Sequence, residues 1–131
     1  MRRFVLCWWV ASVAAIAAVS TAMAAPRSFT VVGVESGQSN SATTRGETEV
    51  LLSGTKKVGH DRTVCNNGAV STCRTTFYFA AGTIRTRGHS TNAVDFSFAI
   101  VGGTGVYKGA AGTVSAHVLS ATRERETFRF R

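Results

Sequence analysis

Between residues 96 and 114 the chain reads Phe-Ser-Phe-Ala-Ile-Val-Gly-Gly-Thr-Gly-Val-Tyr-Lys-Gly-Ala-Ala-Gly-Thr-Val, and this segment limits the fold more than any other. Phe96, Phe98 and Ile100 alternate with Ser97, Ala99 and Val101, the period-two pattern of a pleated strand. The run Gly102-Gly103-Thr104-Gly105 then interrupts the strand, because glycine reaches backbone conformations that a Cβ forbids. Gly109 and Gly112 lead into a second alternation, Val114, Ala116 and Val118 against Ser115, His117 and Leu119. Strand, glycine turn, strand is a β architecture, and it excludes two nucleotide loops. Gly103, Gly105 and Gly109 are one residue off the dinucleotide spacing, and Lys108-Gly109-Ala110 inverts the order a P-loop requires. Both motifs also need a helix after the glycines, whose N-terminus meets the phosphate. Here a strand follows.

The remainder extends the same pattern. Strands are expected over 28–35, 47–53, 57–64, 74–79, 83–87, 93–101, 113–120 and 123–130, with a polar Ser/Asn/Thr/Gly loop over 36–46. Beyond the N-terminal segment no stretch carries an apolar 3.6-residue repeat of useful length. Short strands at regular spacing with glycine turns read as an antiparallel barrel or sandwich. Eight strands close a barrel that holds side chains or one small ligand. The expected fold is therefore all-β, an eight-stranded antiparallel closed barrel of lipocalin-like size, behind an N-terminal signal helix.

Met1-Arg2-Arg3, an apolar run from Phe4 to Val19 and Ala22-Met23-Ala24 have the form of an export signal with cleavage after Ala24. The apolar run is shorter than the roughly 20 residues of a spanning helix. The expected division is a signal peptide over 1–24 and one domain over 25–131, with no membrane span in the mature chain and a secreted or periplasmic location. Without Arg2 and Arg3 the chain keeps 13 basic and 7 acidic residues, a net charge of +6. The basic residues alternate with threonine, as in Arg85-Thr86-Arg87, which is how the solvent face of a sheet is written. Nucleic acid is not expected as a partner; an anionic envelope surface is the alternative to plain solubility.

Cys65 and Cys73 flank Asn67-Gly68, a tight-turn signal. In an oxidising compartment a hairpin here predicts a Cys65–Cys73 disulfide. The alternatives, a metal pair or a nucleophilic cysteine, lack partners, since His60, His89 and His117 show no motif spacing with the cysteines. No metal or cofactor is expected. Neighbours on a strand point to opposite faces, so His60 and Asp61 do not form a pair. In the last strand Glu124, Glu126, Phe128 and Phe130 share one face. If the phenylalanines face the lumen, Glu126 does too, and a carboxyl there can act as a general acid or base. Otherwise Glu124 and Glu126 sit at the rim, paired with arginines of a neighbouring strand.

Residues 98–112 resemble the glycine signature of the allene oxide cyclase and dirigent barrel superfamily. Thr75-Thr76-Phe77-Tyr78-Phe79 and Gly82-Thr83-Ile84-Arg85-Thr86-Arg87-Gly88 are similar to its paired strands, and Val58-Gly59 and Cys65 also have counterparts in the plant cyclases. The likeness covers roughly 46–130. It implies an eight-stranded barrel, a pocket walled by aromatics supplied here by Phe77, Phe79, Phe96, Phe98 and Tyr107, and structural glycines at Gly102, Gly103, Gly105, Gly109 and Gly112. It also implies isomerase or cyclase chemistry and homo-oligomers. The plant cyclases' strand-one pocket glutamate matches Glu35 when the alignment is shifted. The asparagine and Ser-Pro pair beside it in that family have no counterpart here. Asp95 precedes Phe96 and is expected outside. The catalytic candidates are thus Glu35 and Glu126.

The function expected from all this is an exported barrel that binds or orients a small hydrophobic molecule, with an anionic head group near the basic rim. The alternatives are an isomerase or cyclase of the allene oxide type, and a basic envelope-associated scaffold with a filled barrel.

Overall fold

The structure, a computed structural model, describes residues 24–90 and 92–131. The signal peptide expected over 1–24, apart from Ala24, lies outside the described residues. Eight strands follow in order: β1 Ser28–Asn40, β2 Thr44–Ser53, β3 Lys56–Asn66, β4 Thr72–Phe79, β5 Gly82–His89, β6 Asp95–Gly103, β7 Gly112–Ser120 and β8 Arg123–Phe130. Each pairs antiparallel with its sequence neighbour, and β1 pairs with β8 to close the barrel. The expected fold class holds. There is no α-helix among the described residues, only the 3₁₀ turn Gly105–Tyr107.

The loop expected over 36–46 is instead a hairpin. β1 continues to Asn40 and β2 starts at Thr44, with a register shift between Glu35 and Gly37. Polar composition misled the reading because these residues are exposed yet ladder-paired: their backbones bond each other while their side chains face water. The Ser36 hydroxyl donates to the Thr48 carbonyl at 3.0 Å beside the shift.

The lumen has two unlike halves. At one end Phe29, Phe77, Phe79, Phe128, Phe130 and Tyr107 pack ring on ring. Phe29 stacks on Phe128 with centroids 4.5 Å apart, and Phe77 meets Phe128 edge-on at 4.9 Å. Val31, Leu51, Ile84, Ile100 and Val114 complete this core. The glycine segment closes the same end. β6 runs through Gly103, and residues 104–111 then fold over the opening and insert Tyr107. Thr104 fixes this cap through its amide to the Thr83 carbonyl at 2.9 Å and its hydroxyl to that of Thr83 at 2.8 Å.

Gly105 has φ +61°, and a Cβ there would also overlap the Ala81 carbonyl. Gly103 is not among the positive-φ glycines, and its constraint is space alone: a Cβ would overlap the carbonyls of Thr83 and Tyr107.

Cys65 and Cys73 are directly opposite on β3 and β4 and are disulfide-bonded. Between them lies a five-residue loop, Asn67 to Ser71, in place of a two-residue turn. The disulfide is a bond of oxidising compartments. No helix among the described residues is long and apolar enough to cross a membrane.

Candidate functional site

The other half of the lumen is acidic. Five of the seven carboxyls in the sequence, Glu47 and Glu49 of β2, Asp61 of β3, and Glu124 and Glu126 of β8, line one enclosed space. The opposite wall is apolar: Phe96 and Phe98 of β6, Val114 and Ala116 of β7. The hydroxyls of Thr63 and Thr75, 2.7 Å apart, lie between. The free space among these residues is about 30 Å³. No basic side chain lines it, and all thirteen lysines and arginines from Arg27 onward are exposed. The protein is charge-segregated, acid within and base without.

Strand register explains the cluster. Glu35 lies directly opposite Glu49, and Glu49 opposite Asp61, so all three project to one face. Glu126 lies opposite both Val31 and Ala116, two buried residues, and Glu124 opposite Gly33. Gly33 makes room for the cluster, because a Cβ there would overlap the Glu49 carboxylate. Asp61 Oδ1 accepts the Glu49 backbone N–H at 3.0 Å. The Oε2 atoms of Glu49 and Glu126 are buried with no hydrogen-bond partner.

Burial without a counter-charge disfavours the ionised form. Burial pushes the Glu49 carboxyl up to about 9, with the charges of Glu124, Asp61, Glu47 and Glu35 adding to the effect. Asp61 rises to about 7 by burial, against the lowering influence of the Glu49 amide. Glu124 rises to about 7, by burial and then by Glu47. Glu126 is held well above the carboxylate range by burial, reinforced by Asp61, Glu49 and Glu124. Glu47 is raised by burial and by Glu35, with Arg45 opposing.

Of the catalytic candidates, Glu126 is buried in the lumen at 3% exposure, and Glu35 is half-buried on the same face as Glu49. The rim alternative does not describe Glu126. Among the described residues no carboxylate is paired with an arginine or lysine, and the exposed Asp95 carboxylate is hydrogen-bonded to His117 Nδ1 at 2.6 Å. The aromatic set divides. Phe96 and Phe98, half-buried with centroids 5.5 Å apart, wall the acidic space. Phe77 and Phe79 belong to the packed core, and Tyr107 caps it, bordering a shallow outer hollow with Pro26, Lys108 and Phe130. Cys65 is a cystine and offers no thiolate. His60 is exposed and stacks on Tyr78.

The sequence reading did not bring Glu47, Glu49, Asp61 and Glu124 together. In β2 hydropathy points the wrong way, since the outward face carries Thr48, Val50 and Leu52 while the inward one carries Glu47, Glu49 and Leu51. The signal that was available is arithmetic: a basic chain with only seven acids places five of them at matching strand phases.

The β5–β6 ladder beside this space is short. β5–β6 pairing spans Ile84–Arg87 against Ala99–Gly103, leaving Phe96 and Phe98 paired to β7 alone. Phe98 lies over Gly88, where a Cβ would overlap its ring.

No family model and no curated protein matches the sequence. Solved structures do match in fold. One described as a pyocyanin demethylase superposes with a TM-score of 0.69 at 20% identity, covering 79% of this chain and 99% of that one. AbnU, described as an exo-specific intermolecular Diels-Alderase, gives 0.60 at 13% identity, covering 79% and 97%. At these identities the likeness establishes a shared small β-barrel.

Proposed function

We propose that the protein binds a compact, ring-bearing small molecule at the acid-lined end of its barrel. The ligand's apolar face lies on Phe96 and Phe98, and its polar edge meets the carboxyls. The observation that carries this reading is the two-sided lining of one space, apolar on β6–β7 and acidic on β2, β3 and β8. Small-molecule sites combine apolar walls with convergent polar groups, and this space has both, with the polar groups in the majority. The free space of about 30 Å³ is smaller than such a ligand, so the ligand seats by turning Phe96 and Phe98 outward. The β5–β6 ladder ends at Ala99 and does not reach either residue. The tightly packed aromatic end leaves the acidic half as the receiving site. The two structural neighbours carry names of proteins that act on small molecules, pyocyanin in one and Diels–Alder partners in the other, which favours the same use of the barrel here. The resemblance of residues 98–112 to the allene oxide cyclase and dirigent signature agrees with it. A secreted or periplasmic location belongs to this reading, supported by the N-terminal signal pattern and the disulfide.

A second reading, catalysis of an isomerisation or cyclisation, is favoured by Glu124, which is half-buried and borders the same space as the two phenylalanines. It stands where a bound molecule would touch it.

The test is titration of the mature protein with N-phenyl-1-naphthylamine, a neutral ring probe whose fluorescence rises in apolar surroundings, followed by displacement with unlabelled cyclic compounds. Saturable binding that Phe98→Asp removes is the expected result. No saturable signal at low salt and high probe concentration would instead identify the barrel as a filled scaffold.

A further inference from the structure

We infer that Glu49, Asp61 and Glu126 form a binding site for one hard divalent cation, with calcium the best match. The three residues come from β2, β3 and β8, and each offers a carboxylate oxygen within 4.8 Å of the others. Calcium–oxygen bonds run about 2.3–2.6 Å, so two oxygens on one ion lie at most about 5 Å apart. The separations already fit a shared ion without backbone movement.

An independent observation points to an occupant. The Oε2 atoms of Glu49 and Glu126 are buried and have no hydrogen-bond partner, and Glu126 itself is 3% exposed. Buried polar atoms are nearly always satisfied, and an orphaned pair facing one small space calls for a water or an ion. A neighbouring basic side chain cannot satisfy them, since none lines the space.

The ligand chemistry selects the ion. All three ligands are carboxylates, and no histidine or cysteine lines the space, which excludes the soft and borderline metals as the best match. Magnesium retains several waters, and about 30 Å³ does not hold them. Calcium accepts bidentate carboxylates, so three of them supply up to six oxygens, and the Thr63 and Thr75 hydroxyls border the same space. The carboxyls must be deprotonated to bind, so the cation displaces protons. Sequence motifs could not show such a site, because its ligands lie on separate strands, at positions 49, 61 and 126. This site goes beyond the ligand-binding reading. Glu47, Glu124 and the phenylalanine wall remain free to meet an organic molecule.

The experiment is isothermal titration of chelator-treated mature protein with calcium chloride, in two buffers of different ionisation enthalpy, with thermal unfolding alongside. The expected result is one calcium per chain, with proton release and a raised melting temperature. The dissociation constant should fall at or below the range of extracellular calcium modules, about 0.1–1 mM. Glu126→Gln should weaken binding at least tenfold, whereas Asp95→Asn, which alters an exposed acid, should leave it unchanged. Should Glu126→Gln fail to fold, Glu49→Gln serves in its place. Absence of heat and of any thermal shift in the wild type at millimolar calcium or manganese overturns the proposal. So does calcium binding that a folded Glu126→Gln or Glu49→Gln variant retains at full strength. The naphthylamine titration reads the organic site separately, so the two readings can fail independently.

Discussion

Asp61 and Glu49 stand directly opposite each other on β3 and β2, and the Asp61 carboxylate accepts the Glu49 backbone N–H at 3.0 Å. One strand thus anchors its neighbour's acid through the main chain, which leaves the Glu49 carboxyl itself directed into the lumen without a donor. Both carboxyls are pushed up by burial, to about 7 for Asp61 and about 9 for Glu49.

That arrangement fixes the pH dependence of the cation-free protein. These carboxyls hold protons more tightly when folded than in the unfolded chain, where the ordinary values are 3.8 and 4.5. Their contribution to stability is complete below the unfolded values and is lost as pH rises through the folded ones. In chelator, the melting temperature should fall steadily from about pH 5 to about pH 9. Glu49→Gln should flatten the alkaline part of that fall. A melting temperature that is constant or rising across the window would show that the folded barrel accommodates the ionised acids.

The glycines of the cap should fail for different reasons. Gly105→Val combines a positive φ with overlap on the Ala81 carbonyl, and Gly103→Val is excluded by the Thr83 and Tyr107 carbonyls alone. Gly109, with φ +73° and open space around it, isolates the backbone effect. Chemical denaturation should show Gly109→Ala costing about 1–2 kcal/mol. Gly105→Val should cost more than that. Equal stability of Gly105→Val and wild type would disprove the conformational constraint.

The Cys65–Cys73 bond should be present in material purified without reductant. Intact mass should rise by two hydrogens on reduction, and the reduced protein should be less stable by about 2–3 kcal/mol. Two alkylatable thiols in the unreduced protein would contradict it.

Phe98 covers the acidic space from above Gly88. Gly88→Val should push the ring off its seat. Phe98→Ala should enlarge the space while leaving the aromatic core intact. Both variants should alter the on-rate of N-phenyl-1-naphthylamine more than they alter unfolding. Phe128→Ala, in the packed half, should instead cost about 3–5 kcal/mol. An unchanged on-rate in both variants would place ligand entry elsewhere.

The architecture was legible in the sequence because it rests on local, periodic information. Alternation in Phe96 to Ile100 and in Val114 to Val118 defines strands, and the glycines between them define the break. Eight such segments suit a barrel or a sandwich, and β1–β8 pairing decides for the barrel, while Cys65 and Cys73 fell opposite each other as their hairpin spacing required. The loop expected over 36–46 failed because water-facing side chains say nothing about whether the backbone beneath them is paired.

The acidic lumen was decided by the tertiary structure. Glu126 was readable, since it shares a strand face with Phe128 and Phe130. Glu49 was not, because its face of β2 is more polar than the face turned to solvent. Which face points inward depends on register against β1 and β3, and a shift of one residue would turn Glu47 and Glu49 outward and Thr48 and Val50 in. Strand phase is a property of single segments and is written in the chain. The meeting of Glu49, Asp61 and Glu126 depends on closure of the whole barrel, because β8 comes to lie one strand away from β2, on the other side of β1, only when closure pairs β1 with β8.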